Sequence, residues 1–299
     1  MPIQRTLAAA GGLLAVAGIT GLIAVANSPI ANASTVTERH ADPRTLTITA
    51  RDFAFDAPDT VQAGVTTIRL VNKGPELHHV WLIRLDEGKT MNDVMAAMRD
   101  AGPEGPPPKW ITHVGGPNAP RPGGESVNTL LLTPGRYVIN CFIPSADGKP
   151  HVMKGMMREL IVVPAVAPAA EKSGATAFPA SDVTLTLNDY SFDFSRPLAA
   201  GKQRVMVRNA AAQPHEVFIA RLAPGKSAGD LVAWIEKPNG PPPGEPLGGT
   251  TGIATGGENQ IELDLTPGEY ALYCFVPDAK DGKPHIAHGM MKQITVAAK

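Results

Sequence analysis

Cys141 and Cys274 are the only cysteines in this 299-residue chain, and each opens the same succession of soft and borderline metal ligands. His151 follows Cys141 after ten residues and Met156 after five more; His285 follows Cys274 after eleven and Met290 after five more. A further histidine precedes an apolar strand-like run in each case, within Leu77-His78-His79-Val80 and Pro214-His215-Glu216-Val217. Two imidazoles, a thiolate and a weak axial thioether form the ligand field of a type 1 copper site. Sulfur favours Cu(I) and imidazole accepts both oxidation states, so one electron can come or go with little rearrangement. A buried cysteine on its own reads as a small hydrophobe, but four donors recurring in matched places read as two sites. The candidate metal ligands are His78, Cys141, His151 and Met156 in the first set, and His215, Cys274, His285 and Met290 in the second.

Several residues compete for these roles. Met157 and Met291 adjoin the two axial candidates, and both choices stay open from spacing alone. Alternation along a strand turns His79 to the face opposite His78, where a solvated position is expected. His113, His288 and Met153 have no counterparts in the other set and read as surface or loop residues. A disulfide is not expected although the cysteine count is even, because the two cysteines occupy equivalent places in two separate halves.

The elements that must position these ligands come from a duplication. Asp52-Phe53-Ala54-Phe55-Asp56 recurs as Asp189-Tyr190-Ser191-Phe192-Asp193, and Gly64 through Asn72 recurs as Gly201 through Asn209, both at an offset of 137 residues. Thr133-Pro134-Gly135-Arg136-Tyr137 likewise matches Thr266-Pro267-Gly268-Glu269-Tyr270, and Gly155-Met156-Met157 matches Gly289-Met290-Met291. Two copies are too few for a solenoid, so each is expected to fold around its own core. The expected domains are residues 45–163 and 181–299, joined by an Ala/Pro-rich linker over 164–180.

Short β-rich runs such as Thr45 to Ala50, Thr66 to Val71, Val80 to Leu85, Tyr137 to Phe142 and Glu159 to Val163 lie between Gly/Pro turns, which predicts an all-β fold of two tandem sandwiches. In the run from Tyr137 to Phe142, period-two alternation puts Tyr137, Ile139 and Cys141 on one face. Thr90-x-x-Asp93 and Ser227-x-x-Asp230 are capping-box signals, which predict one short helix per copy. In the first helix Val94, Met95 and Met98 are expected to form the buried stripe.

With these residues in place the chain resembles the cupredoxin superfamily, including plastocyanins and copper nitrite reductases, over about residues 45–163 and 181–297. The resemblance implies Greek-key sandwiches with His78 and His215 as first ligand, Cys141 and Cys274 as thiolate, His151 and His285 as second imidazole, and Met156 and Met290 as axial ligand. The Cys-to-His loops are longer than in those relatives; residues Ser145 to Pro150 and Asp278 to Pro284 can loop out without moving the ligands. The Asn that often follows the first ligand is replaced by His79 and Glu216, which implies a different hydrogen-bonding shell.

The N-terminus carries Arg5, an apolar run from Leu7 to Ala26 and an Ala31-Asn32-Ala33 step, the three parts of a secretory signal over residues 1–33, with an uncleaved anchor as the alternative. Residues 34–44 are polar and expected to be disordered. A periplasmic or extracellular location follows from the signal. The formal charge of -1, without Lys/Arg runs, gives no footprint for nucleic acid or an anionic membrane surface. Neither cysteine has a histidine neighbour, and no second set of copper ligands is visible, so the chain is expected not to be an enzyme. The sequence therefore points to an exported electron carrier with two type 1 coppers, working with redox partner proteins, by default as a monomer. A copper-delivery module, a two-domain relative of the copper oxidases and nitrite reductases, and a metal-free structural sandwich are the alternatives.

Overall fold

The computed structural model describes residues 43–101, 107–165 and 177–298. The signal segment, most of the polar stretch behind it and the centre of the linker lie outside the described residues. The strands of the first repeat are β1 (Arg44–Arg51), β2 (Ala54–Asp56), β3 (Thr60–Gln62), β4 (Gly64–Asn72), β5 (Trp81–Leu85), β6 (Ile111–Gly115), β7 (Glu125–Leu132), β8 (Gly135–Asn140) and β9 (Met157–Val163), with helix α1 (Met91–Ala101) between β5 and β6. The second repeat has β10 (Val183–Asn188), β11 (Ser191–Phe194), β12 (Gly201–Asn209), β13 (His215–Leu222), β14 (Gly244–Ile253), β15 (Glu258–Leu265), β16 (Gly268–Tyr273) and β17 (Met291–Val296), with α2 (Ala228–Glu236) between β13 and β14. Single 3-10 turns, His151–Lys154 and His285–His288, lead into β9 and β17.

Each repeat is a Greek-key sandwich of the cupredoxin type. Alternation does most of the work: Leu46, Ile48 and Ala50 of β1 are buried while their neighbours face outward, and Val183, Leu185 and Leu187 of β10 repeat this. The first strand of each repeat pairs parallel with the fourth-strand equivalent, β1 with β4 and β10 with β12, which closes one sheet of each sandwich. In β8 both faces are buried from Tyr137 onwards. Tyr137 and Ile139 face the first core, while Val138 joins Trp81, Ile83, Leu85 and Val94. Only part of the expected stripe of α1 is used. Val94 is buried and Met98 packs against the cluster together with Met91, but Met95 is exposed, since the contact face runs through positions 91, 94 and 98.

Tyr137 and Tyr270 fix the turn ahead of each ligand-bearing strand. The Tyr137 hydroxyl donates to the Thr133 carbonyl at 2.9 Å and accepts from the Thr133 N–H at 3.1 Å. Tyr270 does the same with Thr266 at 2.7 and 3.1 Å. This is the tyrosine corner of Greek-key sandwiches, made twice.

The repeats share their sheets. One sheet runs β11-β10-β12-β15-β7-β4-β1-β2 and the other β17-β16-β13-β14-β6-β5-β8-β9-β3. The joins are antiparallel: Ile261 of β15 opposes Asn128 of β7, and Ile253 of β14 opposes Val114 of β6. Because β7 corresponds to β15 and β6 to β14, equivalent strands meet, which relates the two repeats by an approximate twofold. Within each repeat one glycine lets the strand that follows the first histidine be approached closely. A Cβ on Gly116 would stand 2.4 Å from the Val80 carbonyl oxygen, and one on Gly249 2.0 Å from that of Val217. Their φ values of +134° and +121° lie where side chains are strained.

Candidate metal centres

The loop that delivers each first histidine is folded by an asparagine at the end of the preceding strand. Asn72 accepts from the Gly74 N–H at 3.0 Å and donates to the Glu76 carbonyl at 2.8 Å, turning the chain into His78. Asn209 repeats this with the Ala211 N–H and the Gln213 carbonyl, ahead of His215. Cys141 and Cys274 come directly after β8 and β16, one residue beyond the last ladder position. The long Cys-to-His segments loop outward and return. The Val152 N–H donates to the Cys141 carbonyl at 2.7 Å and the His151 N–H to the Ile143 carbonyl at 2.9 Å, with the same pairs at Ile286, Cys274, His285 and Val276. Gly155 and Gly289, in the left-handed conformation, then turn the chain so that Met156 and Met290 are fully buried.

All eight candidate ligands have no measurable exposure, and both cysteines are free. In each set the two His nitrogens and the Cys sulfur lie within 4.8 Å of one another. In the first, His78 Nδ1 and His151 Nδ1 are 3.1 Å apart and Cys141 Sγ is 3.4 Å from His151 Nδ1. In the second, Cys274 Sγ lies 3.3 Å from His285 Nδ1 and 3.8 Å from His215 Nδ1. Met156 and Cys141 share one core cluster, and Met290 and Cys274 share another. Of their rivals, Met157 is only partly buried, packed beside the other cluster, and Met291 is 39% exposed.

The outward nitrogens explain the orientation. His78 Nε2 meets Asp52 Oδ1 at 2.6 Å, His151 Nε2 meets Glu76 Oε2 at 2.9 Å, and His215 Nε2 meets Asp189 Oδ1 at 2.8 Å. A carboxylate can only accept, so each of these Nε2 atoms carries the proton and each Nδ1 turns a lone pair inward. In the first set two lone pairs then face each other at 3.1 Å beside a sulfur, an arrangement that a cation between them stabilises. Carboxylate–histidine pairs of this kind hold metal-binding imidazoles in one tautomer and orientation. In the second set the carboxylate moves to the other loop: Gln213 stands where Glu76 does and Asp278 where Ser145 does. Asp278 accepts from Gln213 at 2.9 Å and lies 3.7 Å from His285 Nε2, which has no hydrogen-bond partner. The hydrogen bond from Tyr190, with that from Gln213, holds the Asp278 carboxyl well below the usual range.

Burial pushes the Cys141 thiol up to about 12 and the Cys274 thiol well above its ordinary value. Both stay protonated at neutral pH until a metal displaces the proton. Burial also lowers His78 and His215, and lowers His285 to about 4, so the imidazoles are neutral and ready to ligate.

Two expectations about neighbouring residues do not hold. His79 is buried rather than solvated: its ring packs on Trp81 at 5.9 Å, and its Nε2 accepts from the Phe142 N–H at 3.0 Å. His113 is no surface residue in its chemistry, since its ring packs on Trp81 at 5.3 Å and its Nδ1 is buried without a partner. Met153 is half exposed, as expected of a loop residue. His288 gathers with Asp281 and Asp278. Asp281 accepts from His288 at 3.2 Å and from the Lys283 N–H at 3.0 Å, a hydrogen-bonded turn that accounts for the cluster. Asp52, Glu76, Asp189 and Asp278 escaped the sequence reading as site residues. The repeated Asp52/Asp189 motif was the one signal available for them.

Comparison with family models and with curated sequences gives no match. Among solved structures, an auracyanin from Roseiflexus castenholzii matches 42% of this chain over its whole length, at 23% identity and a TM-score of 0.28. A copper-containing nitrite reductase from Thermus scotoductus SA-01 matches 86% of this chain and 62% of its own, at 14% identity and 0.24. A blue copper oxidase from Nitrosomonas europaea matches 86% of both chains, at 17% identity and 0.25. These likenesses are distant, and the cupredoxin fold stands on the topology and ligand clusters above. The expectation that the chain is not an enzyme is nevertheless withdrawn, because matched structures include a nitrite reductase and oxidases. It rested on the residues next to each cysteine and on histidine spacing, and ligands gathered from separate segments are invisible to that test.

Proposed function

We propose that this is an exported copper protein that takes up and passes on single electrons at two type 1 centres. The ligands are His78, Cys141, His151 and Met156 in one centre, and His215, Cys274, His285 and Met290 in the other. The observation that carries the reading is the paired set of buried donors, two inward Nδ1 atoms and one free sulfur, each with a fully buried methionine alongside. Copper bound there supplies one-electron redox chemistry. The protein's own contribution is to keep the donors in place before and after the electron moves. Asp52, Glu76 and Asp189 clamp the outward nitrogens, and the returning loops tie each His to the strand end beside its Cys. Complete burial keeps water off the ligands, which limits reorganisation of the surroundings when the charge changes.

Export rests on the N-terminal signal pattern and puts the redox partner proteins in the same compartment. Among the described residues no helix is long and apolar enough to cross a membrane. Voltammetry of the copper-loaded protein tests the proposal. Reversible one-electron waves that disappear with Cys141→Ser and Cys274→Ser support it. Tight, readily exchanged Cu(I) without a reversible wave points instead to copper delivery.

A further inference from the structure

The two residues that follow the first histidines do more than fill the strand face. The Glu216 N–H donates to Cys274 Sγ at 3.4 Å, and the backbone of His79, in the equivalent place, lies beside the Cys141 sulfur. Their side chains make a second matched pair of contacts. His79 Nε2 accepts from the Phe142 N–H at 3.0 Å, and Glu216 Oε1 accepts from the Phe275 N–H at 2.8 Å, each at the residue after its cysteine. Both side chains are buried. Accepting at Nε2 leaves the His79 proton on Nδ1, where it can only donate.

Asn118 lies between them. It is 3% exposed and sits in the segment joining β6 to β7, and its Nδ2 donates to Glu216 Oε2 at 3.2 Å across the seam between repeats. Its side chain also adjoins the His79 ring, whose Nδ1–H needs an acceptor such as the amide oxygen. The position is fixed from both sides. The Asn118 N–H donates to the Gly249 carbonyl at 3.1 Å and the Val80 N–H to the Pro117 carbonyl at 2.9 Å. Thr251, in the equivalent place of the second repeat, donates instead to the Val80 and Gly116 carbonyls and reaches neither centre. One continuous path of contacts therefore runs from Phe142, the residue after Cys141, through His79, Asn118 and Glu216 to Cys274, hydrogen-bonded between Phe142 and His79 and from Asn118 onwards.

We infer that His79, Asn118 and Glu216 form an internal bridge through which the two centres exchange electrons, so that the protein works as one two-electron unit. The inference rests on the reading of both donor sets as type 1 copper sites. In the exchange one electron leaves the centre held by Cys141 and arrives at the one held by Cys274, or the reverse. The first is oxidised and the second reduced by one unit, no bond forms or breaks, and no proton leaves the bridge.

The test uses the fully copper-loaded chain with Met290→Gln, which gives the second centre its own potential and absorption. Pulse radiolysis with less than one electron equivalent should show a concentration-independent redistribution between the two blue bands. Adding Asn118→Leu should slow that phase about tenfold, the scale on which loss of an outer-shell partner alters activity, with both bands intact. Glu216→Leu should act in the same way and Glu216→Gln, which keeps an acceptor for Phe275, should restore much of the rate; these variants serve if Asn118→Leu does not fold. In the copper-free protein, nitrogen NMR should find His79 protonated at Nδ1, with that hydrogen-bonded proton lost in Asn118→Leu. Intact bands with an unchanged first-order rate in both Leu variants would overturn the bridge. Absence of intense bands before any bridge substitution would overturn the copper reading, and the bridge with it.

Discussion

Alanine at Gly249 would put a methyl carbon 2.0 Å from the Val217 carbonyl oxygen, and at Gly116 2.4 Å from that of Val80. Neither carbonyl can swing away, since each belongs to the chain that carries a first histidine into its strand. The backbone at both glycines also lies at positive φ, and holding a side chain there costs about 1–3 kcal/mol. Forcing atoms into closely packed surroundings adds about 1–3 kcal/mol more. A total near 4 kcal/mol corresponds to a fall in Tm of roughly 8–16 °C for a unit of this size. Gly256 is the control: its φ is +75° and nothing lies within 4 Å of an added Cβ, so Gly256→Ala bears a dihedral cost of only about 1–2 kcal/mol. Thermal unfolding of the three copper-free variants, followed by circular dichroism, measures the difference. If Gly249→Ala and Gly116→Ala melt no lower than Gly256→Ala, the strand that carries each first histidine is not packed against its neighbour as closely as these contacts require.

Other expectations follow from the same structure. Asp52→Asn and Asp189→Asn should each weaken copper binding at their own centre by about 10–100-fold and leave the other unchanged, as read by competitive titration. Tyr137→Phe and Tyr270→Phe should each cost about 1 kcal/mol of stability, measured by denaturant unfolding. The copper-free protein should lose stability on acidification. Burial lowers His113 and His285 to about 4 and His79 to about 3, below the value of about 6.5 for an unfolded chain, so the unfolded state binds more protons across that window. Stability is then fully present above pH 6.5 and declines as pH falls towards 3–4; His113→Leu should move the acid midpoint lower, and an unchanged midpoint would contradict the assignment.

The ligands were legible because four donors recurred at matched spacing in a duplicated sequence, and the repeat also gave away the strands and the capped helices. What lay in contacts between repeats was not legible. His79 was expected in water because alternation distinguishes two faces of a strand without saying what covers the second, and here Trp81, Phe142 and Asn118 do. Asn118 drew no notice for the same reason: its partners Glu216, Val217 and Thr250 lie about a hundred or more residues away. Met95 was assigned to the stripe of α1 on helical spacing, but it and Val94 are adjacent, and the helix presents Val94. The carboxylates behind the histidines were hidden by composition, since an aspartate in a repeated turn motif looks the same whether it faces water or an imidazole.

The most direct test of the account is the visible absorption of the mature protein during addition of Cu(II). Two type 1 centres require an intense thiolate-to-copper band that grows up to two equivalents, falls to one equivalent in Cys141→Ser or in Cys274→Ser, and vanishes in the double variant. No such band, or a band indifferent to both substitutions, would contradict it.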